Sequence, residues 1–211
     1  MNKAIDQFKK NIESVKSLDF IYNTLKDKPE LDLSEILRAE LVLAVAALDC
    51  FIHDLVRRRM SEIFQAVENK PEAFLNFNIS LKAVEEIFAA STKEDRIYSF
   101  EQEVRRLHGY RTFQRSDNIS QALSLIGVKS VWDKVGKKIG LSTANVRNQL
   151  DLIVQIRDRI AHESDIDPSL GIGEKYPIDF EMVDDSIKFL EDIADTVYSV
   201  VVSELTSCYA F

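Results

Sequence analysis

Apolar side chains at Ile5, Phe8, Ile12, Val15, Leu18 and Ile21 recur every three or four residues, which predicts an amphipathic helix over residues 1–27 that closes near Pro29. Ser34 is the candidate cap for the next element. From Glu35 to Asn69 the chain has neither Gly nor Pro and reads as one long helix, and its stretch from Leu41 to Leu48 is apolar on every side, which places it at the centre of the molecule. After Pro71 the pattern breaks up. Residues 72–130 read as an insertion of shorter helices, interrupted around Ser91, Thr92 and Lys93 and again between Gly109 and Asn118. Residues 131–147 predict a short helix, a turn at Gly140 and a new helix capped by Ser142 that runs through Leu150, Ile153, Val154, Ile156 and Ile160 to about His162. A loop bearing Pro and Gly, Asp167 to Pro177, follows. Asp179 then caps a last helix with Phe180, Val183, Ile187, Leu190, Ala194, Val197 and Val201 on one face. Residues 1–211 thus read as a single all-α domain: a helical bundle with a long central helix, shorter inserted helices and a C-terminal helix. Residues 1–30 form an N-terminal helix packing on its core.

Composition supports the helical reading and narrows the function. The chain holds only 6 Gly and 4 Pro, and the first Gly is Gly109, so sandwiches and barrels, which need a tight turn every few residues, are excluded. Hydrophobic residues make up 45%, enough for a real core and against disorder. The net charge of −8 argues against a protein that coats nucleic acid, but residues 163–195 carry 11 acids and 2 bases, leaving 24 acids and 25 bases elsewhere. The acidity belongs to one segment. Cys50 and Cys208 offer neither a disulfide framework nor metal-ligand spacing. The N-terminus is polar, and the longest apolar run is far below the ~20 residues that span a bilayer. These features predict a cytoplasmic protein with no membrane partner.

One residue does not fit its surroundings. Projected down the axis of the predicted helix, Leu150, Ile153, Val154, Ile156, Ile160 and Ala161 fall on one apolar arc, and Arg157 falls inside that arc, between Ile153 and Leu150. A guanidinium there must be paired or line a cavity, because burying it alone costs several kcal/mol. A buried ion pair tying two core helices together is one reading, with Asp49 as the available partner. His162 ends the same helix, and Asp158 precedes it by one turn, placed to fix the imidazole tautomer. Arg to stabilise phosphorane charge, His to move a proton and an acid to orient it are the minimum set for phosphodiester cleavage without a metal.

The segment Arg157-Asp158-Arg159-Ile160-Ala161-His162 fits the signature of the HEPN superfamily of helical ribonucleases: Arg, a polar residue, three further residues, His. The stretch from Arg38 to Val56, an apolar run leading into Asp49, Cys50, Phe51, Ile52 and His53, resembles the early helix of its RiboL-PSP-HEPN branch. The resemblance implies a HEPN-type bundle that dimerises so that the two motif helices meet and compose one active site. It also implies RNA cleavage that uses no metal and no cofactor, by 2′-hydroxyl attack leaving a 2′,3′-cyclic phosphate. Arg157 would hold the scissile phosphate, His162 would act as general acid or base and Asp158 would orient it. The role of a toxin or defence effector, with an antitoxin or regulatory protein as a further partner, is implied by the resemblance alone.

Asp49 and His53 stand at i and i+4 on the long helix, and Arg38, eleven residues before Asp49, falls within about 20° of it, so the three share one polar stripe. They are candidates for a supporting shell around the motif, or a self-satisfied pair at a packing seam. Arg159, Lys137, Lys138 and Arg147 are the further cations assigned to RNA, and the clusters Arg57-Arg58-Arg59 and Arg105, Arg106, His108, Arg111 and Arg115 either track an RNA backbone or form solvated helix faces. Two other readings stay open. Residues 134–150 resemble a helix-turn-helix, which would make Asn145, Arg147 and Asn148 base-edge contacts of a DNA-binding regulator. The chain would alternatively be an inactive HEPN module that binds RNA or protein.

Overall fold

The computed structural model describes residues 2–28, 30–66 and 70–208, the last five by their backbone alone. Pro29, Asn69 and the side chain of Cys208, all used above, lie outside the described residues. The described residues form nine helices: α1 (Asn2–Leu25), α2 (Ser34–Gln65), α3 (Glu72–Leu75), α4 (Leu81–Ala89), α5 (Lys93–His108), α6 (Ser116–Ser124), α7 (Val131–Ile139), α8 (Thr143–Glu163) and α9 (Phe180–Cys208). The sole extended pairing among them is an isolated bridge between Ile166 and Lys175.

Helix α2 is the spine. Leu41, Leu48, Ile52, Leu55 and Met60 are fully enclosed along it because helices pack on several of its sides. Helix α1 runs antiparallel to its first half: Phe8 lies 5.5 Å from Phe51, and the Asp19 carboxyl sits beside Glu40. Helix α5 runs antiparallel to its second half, stacking Phe100 on Phe64 at 4.3 Å. Helix α9 closes the bundle against α1 through Lys16 and Glu191 at 2.7 Å, and Tyr198 donates to Asn2 at 2.7 Å. Its face of Val183, Ile187, Leu190, Ala194, Val197 and Val201 is buried as its spacing requires.

Several local expectations need correction. Ser34 does not cap α2 with its side chain; the Asp32 carboxylate accepts the Ser34 N–H at 2.9 Å instead. The Leu41–Leu48 run is not covered all round, since Leu43 is 48% exposed and Cys50 faces solvent, leaving an apolar strip at the surface. Helix α5, 16 residues long, is more than a short piece and sends Phe100 and Val104 into the core. The break before α6 ends at Arg115, because Ser116 opens that helix with its N–H on Asp151 Oδ1 at 2.8 Å.

One buried group is out of keeping with this core. Glu40 on α2 is 1% exposed, and neither carboxyl oxygen meets a partner in hydrogen-bond geometry. Burial, with Asp19 of α1 and Asp184 of α9 close by, pushes its pKa up to about 7.

Candidate active site at the end of helix α8

Helix α8 begins as its sequence requires. Gly140 takes the left-handed conformation that ends α7. Ser142 Oγ accepts the Asn145 N–H at 3.2 Å and so caps α8. Leu150, Ile153 and Val154 are buried, but Ile156 and Ile160 are half-buried and Ala161, His162 and Glu163 are exposed. The apolar arc therefore leaves the core in its last two turns. Arg157 stands at that boundary, with a side chain 20% exposed and its Nη1 3.2 Å from Asp158 Oδ1. Its Nε is buried without a partner.

Asp49 is not the partner of Arg157. Its Oδ1 accepts the Phe113 N–H and lies 3.7 Å from His53 Nε2. Asp158 does not orient His162 either: its Oδ2 accepts from Arg115 Nη2 at 2.9 Å, so two guanidiniums share one carboxylate, and no hydrogen bond from it to the imidazole occurs among the described residues. The i, i+4 spacing permitted Asp158 to meet His162, and the permanently charged guanidiniums of Arg157 and Arg115 took it instead, while Asp49 went to a backbone N–H. Arg115 lies on residues 109–115, which link α5 to α6 and are held by carboxylates on two helices. Asp49 takes Phe113 N–H, Asp158 takes Arg115, and just beyond the link Asp151 takes Ser116 N–H and, at 2.9 Å, Ser116 Oγ. Asp151 was not singled out by sequence reasoning, because an Asp beside an apolar face reads as solvated surface until the segment opposite is placed.

The stripe of Arg38, Asp49 and His53 does not form one shell. Eleven residues separate Arg38 from Asp49, roughly 16 Å along the helix, and the two ends serve different segments. His53 Nε2 meets the Arg111 carbonyl at 3.2 Å, and its ring lies 4.3 Å from that of Phe113. Arg38, 4% exposed, donates from Nε to Asp165 Oδ2 at 3.0 Å and from Nη2 to the Tyr176 carbonyl at 2.7 Å. It anchors the loop that follows α8. That loop starts with Ser164 and Asp165 both at positive φ, 54° and 56°, a conformation that costs non-glycine residues about 1–2 kcal/mol each. The buried pair with Arg38 offsets this strain. Arg159 belongs to the same construction: its guanidinium lies 4.0 Å over the Tyr176 ring and 3.5 Å from Asp165 Oδ1.

The other sequence-assigned cations are largely engaged. Lys138 lies 3.7 Å from Asp192, Arg147 is bonded to Asp117 and to Ser116 Oγ, and Lys137 is exposed. Arg57 and Arg58 are paired with Asp54, Arg57 also with Glu101, and Arg59 with Glu62. Arg106 donates twice to Glu103, whose pKa it holds down to about 2. Among the described residues no group of three or more His, Cys, Asp and Glu is placed to hold a metal ion, and no helix is long and apolar enough to cross a membrane.

The described residues form an all-α bundle around a central helix, with Arg157, Asp158 and His162 on the helix end that emerges from the core. The RiboL-PSP-HEPN family model matches residues 6–203, nearly the whole chain. The chain belongs to the RiboL-PSP-HEPN family. Comparison with curated proteins and with solved structures gave no match.

Proposed function

We propose that the protein is an endoribonuclease that cleaves RNA without a metal ion and acts as a toxin or defence effector. The observation that carries the reading is the end of α8: an exposed His162 and an Arg157 whose Nε lacks a partner, on the one stretch of this helix that leaves the core. Arg157 binds the non-bridging oxygens of the scissile phosphate and offsets the charge that builds on them. The ribose 2′-hydroxyl loses its proton to a general base and attacks phosphorus, the P–O5′ bond breaks, and a general acid protonates the departing 5′-oxygen. His162 serves one of these proton transfers. The products are a 2′,3′-cyclic phosphate and a 5′-hydroxyl. Asp158, shared between Arg157 and Arg115, acts by holding the Arg157 guanidinium.

A homodimer completes the chemistry. Five residues apart, Arg157 and His162 project about 140° apart around the axis and about 7.5 Å along it, so a second copy supplies the groups that one helix cannot aim at a single phosphate. Leu152, 56% exposed on the same helix, gives α8 apolar surface to bury in that contact.

The test is cleavage of RNA in excess EDTA by wild type, Arg157→Ala and His162→Ala, with product ends and oligomeric state measured. Wild type is expected to yield cyclic phosphate ends, and both variants to lose at least about a hundredfold in rate while remaining folded dimers. A requirement for divalent metal, or full activity of His162→Ala, would refute the mechanism.

A further inference from the structure

Away from the end of α8, a cavity of about 650 Å³ opens between α1, α2, α5 and the link that follows α5. Its size falls within the ~300–1,000 Å³ of small-molecule sites. Helix α1 contributes the amides of Gln7 and Asn11 and, with α2, an apolar floor of Phe8 and Phe51. Helix α5 and the link contribute Arg105, His108 and Arg111. Two of these groups lack the partners that such groups normally have. His108 is 3% exposed, and its buried Nδ1 has no hydrogen-bond partner. The Arg111 guanidinium is exposed and makes no hydrogen bond or ion pair among the described residues, although its own carbonyl is fixed by His53. Burial first, then His53 and Arg111, hold the His108 pKa down to about 4. Asp49 and Asp54 also line the cavity, but Asp49 is taken by the Phe113 N–H and Asp54 by Arg57 and Arg58, which leaves Arg111 without a carboxylate.

We propose that this cavity binds a nucleotide, its phosphate on Arg111 and Arg105 and its base over the Phe8 and Phe51 floor with Gln7 and Asn11 at its edge. An apolar floor and side-chain amides suit a base, and an unpaired Arg111, with Arg105 held only by a long 3.9 Å contact to Glu101, suits a phosphate. A ligand of this chemistry is either a free mononucleotide or one nucleotide of a bound strand. Arg111 stands on the same link as Arg115, which holds Asp158.

The chain has three histidines, His53, His108 and His162, so their ring signals in NMR report the two sites separately. Adenosine 5′-monophosphate added to the full chain is expected to move His53 and His108 saturably, with a Kd on the order of 1 mM or tighter, and to leave His162 in place. Adenosine alone and inorganic phosphate alone are expected to bind at least about tenfold more weakly, as is the monophosphate to Arg111→Glu or Arg105→Glu. An all-deoxy tetranucleotide, which lacks the attacking 2′-hydroxyl, separates the two sources. Displacement of the monophosphate together with movement of His162 assigns the cavity to the strand, and retention of the monophosphate assigns it to a free nucleotide. Unmoved His53 and His108 signals at about 10 mM ligand, or equal binding by both Arg variants, overturns the proposal. The readout is binding at His53 and His108, so its failure is distinct from a failure of RNA cleavage at His162.

Discussion

Glu40 supplies a pH dependence whose sign and size follow from its surroundings. In the unfolded chain its carboxyl titrates near 4.5, whereas in the folded protein burial, Asp19 and Asp184 raise it to about 7. Below pH 4.5 both states hold the proton and folding is not penalised. Between 4.5 and about 7 the unfolded chain releases the proton and the folded one keeps it, so stability falls as pH rises. Above about 7 both are ionised and the loss is complete. At about 1.4 kcal/mol per pH unit, the whole loss is on the order of 3 kcal/mol, a large share of the ~5–15 kcal/mol that holds a domain folded. Glu40→Gln keeps the shape and removes the titration. Urea unfolding of both proteins at pH 4.5, 6 and 8 is expected to show the variant gaining on wild type by on the order of 3 kcal/mol across the series. Asp19 is raised in the same direction, by burial and then by Asp184, with Lys16 opposing, so Asp19→Asn combined with Glu40→Gln flattens the pH profile further. A difference between Glu40→Gln and wild type that stays constant from pH 4.5 to 8 would refute the reasoning.

Three further outcomes are expected. Arg38→Met leaves the buried Asp165 carboxylate with Arg159 at 3.5 Å as its remaining cation and costs about 3–5 kcal/mol in urea unfolding, and adding Asp165→Asn, which tolerates the positive φ there, recovers most of that loss; equal destabilisation by the single and double variants would contradict the anchoring role. Gly136→Ala places a Cβ 2.5 Å from the Leu141 carbonyl oxygen, so the α7–α8 turn must shift, and the thermal midpoint should fall by an amount corresponding to at least about 1–3 kcal/mol. Asp158→Ala should lower the RNA cleavage rate by up to about a hundredfold, because the carboxylate holds the Arg157 and Arg115 guanidiniums; an unchanged rate in that variant would contradict the positioning role.

Local pattern was enough to place the helices that span whole periods and the points where they stop. The 3.6-residue spacing of Val183, Ile187, Leu190, Ala194 and Val197, the Ser142 cap and the turn at Gly140 are settled within one or two turns of chain, and each appears as read. The motif of Arg157 and His162 at the end of α8 was legible for the same reason. Which charge meets which was open until the helices were packed. Asp49, Asp158 and Asp151 each had several donors within sequence reach, and the link before α6 settled their choice by bringing Phe113 N–H, Arg115 and Ser116 to them. The sequence offered no partner for Arg38 or Arg159, and the loop after α8 brings Asp165 and Tyr176 beside them. Helix periodicity is carried by neighbouring residues, whereas the partner of a buried charge is chosen by whichever distant segment satisfies it at the lowest desolvation cost.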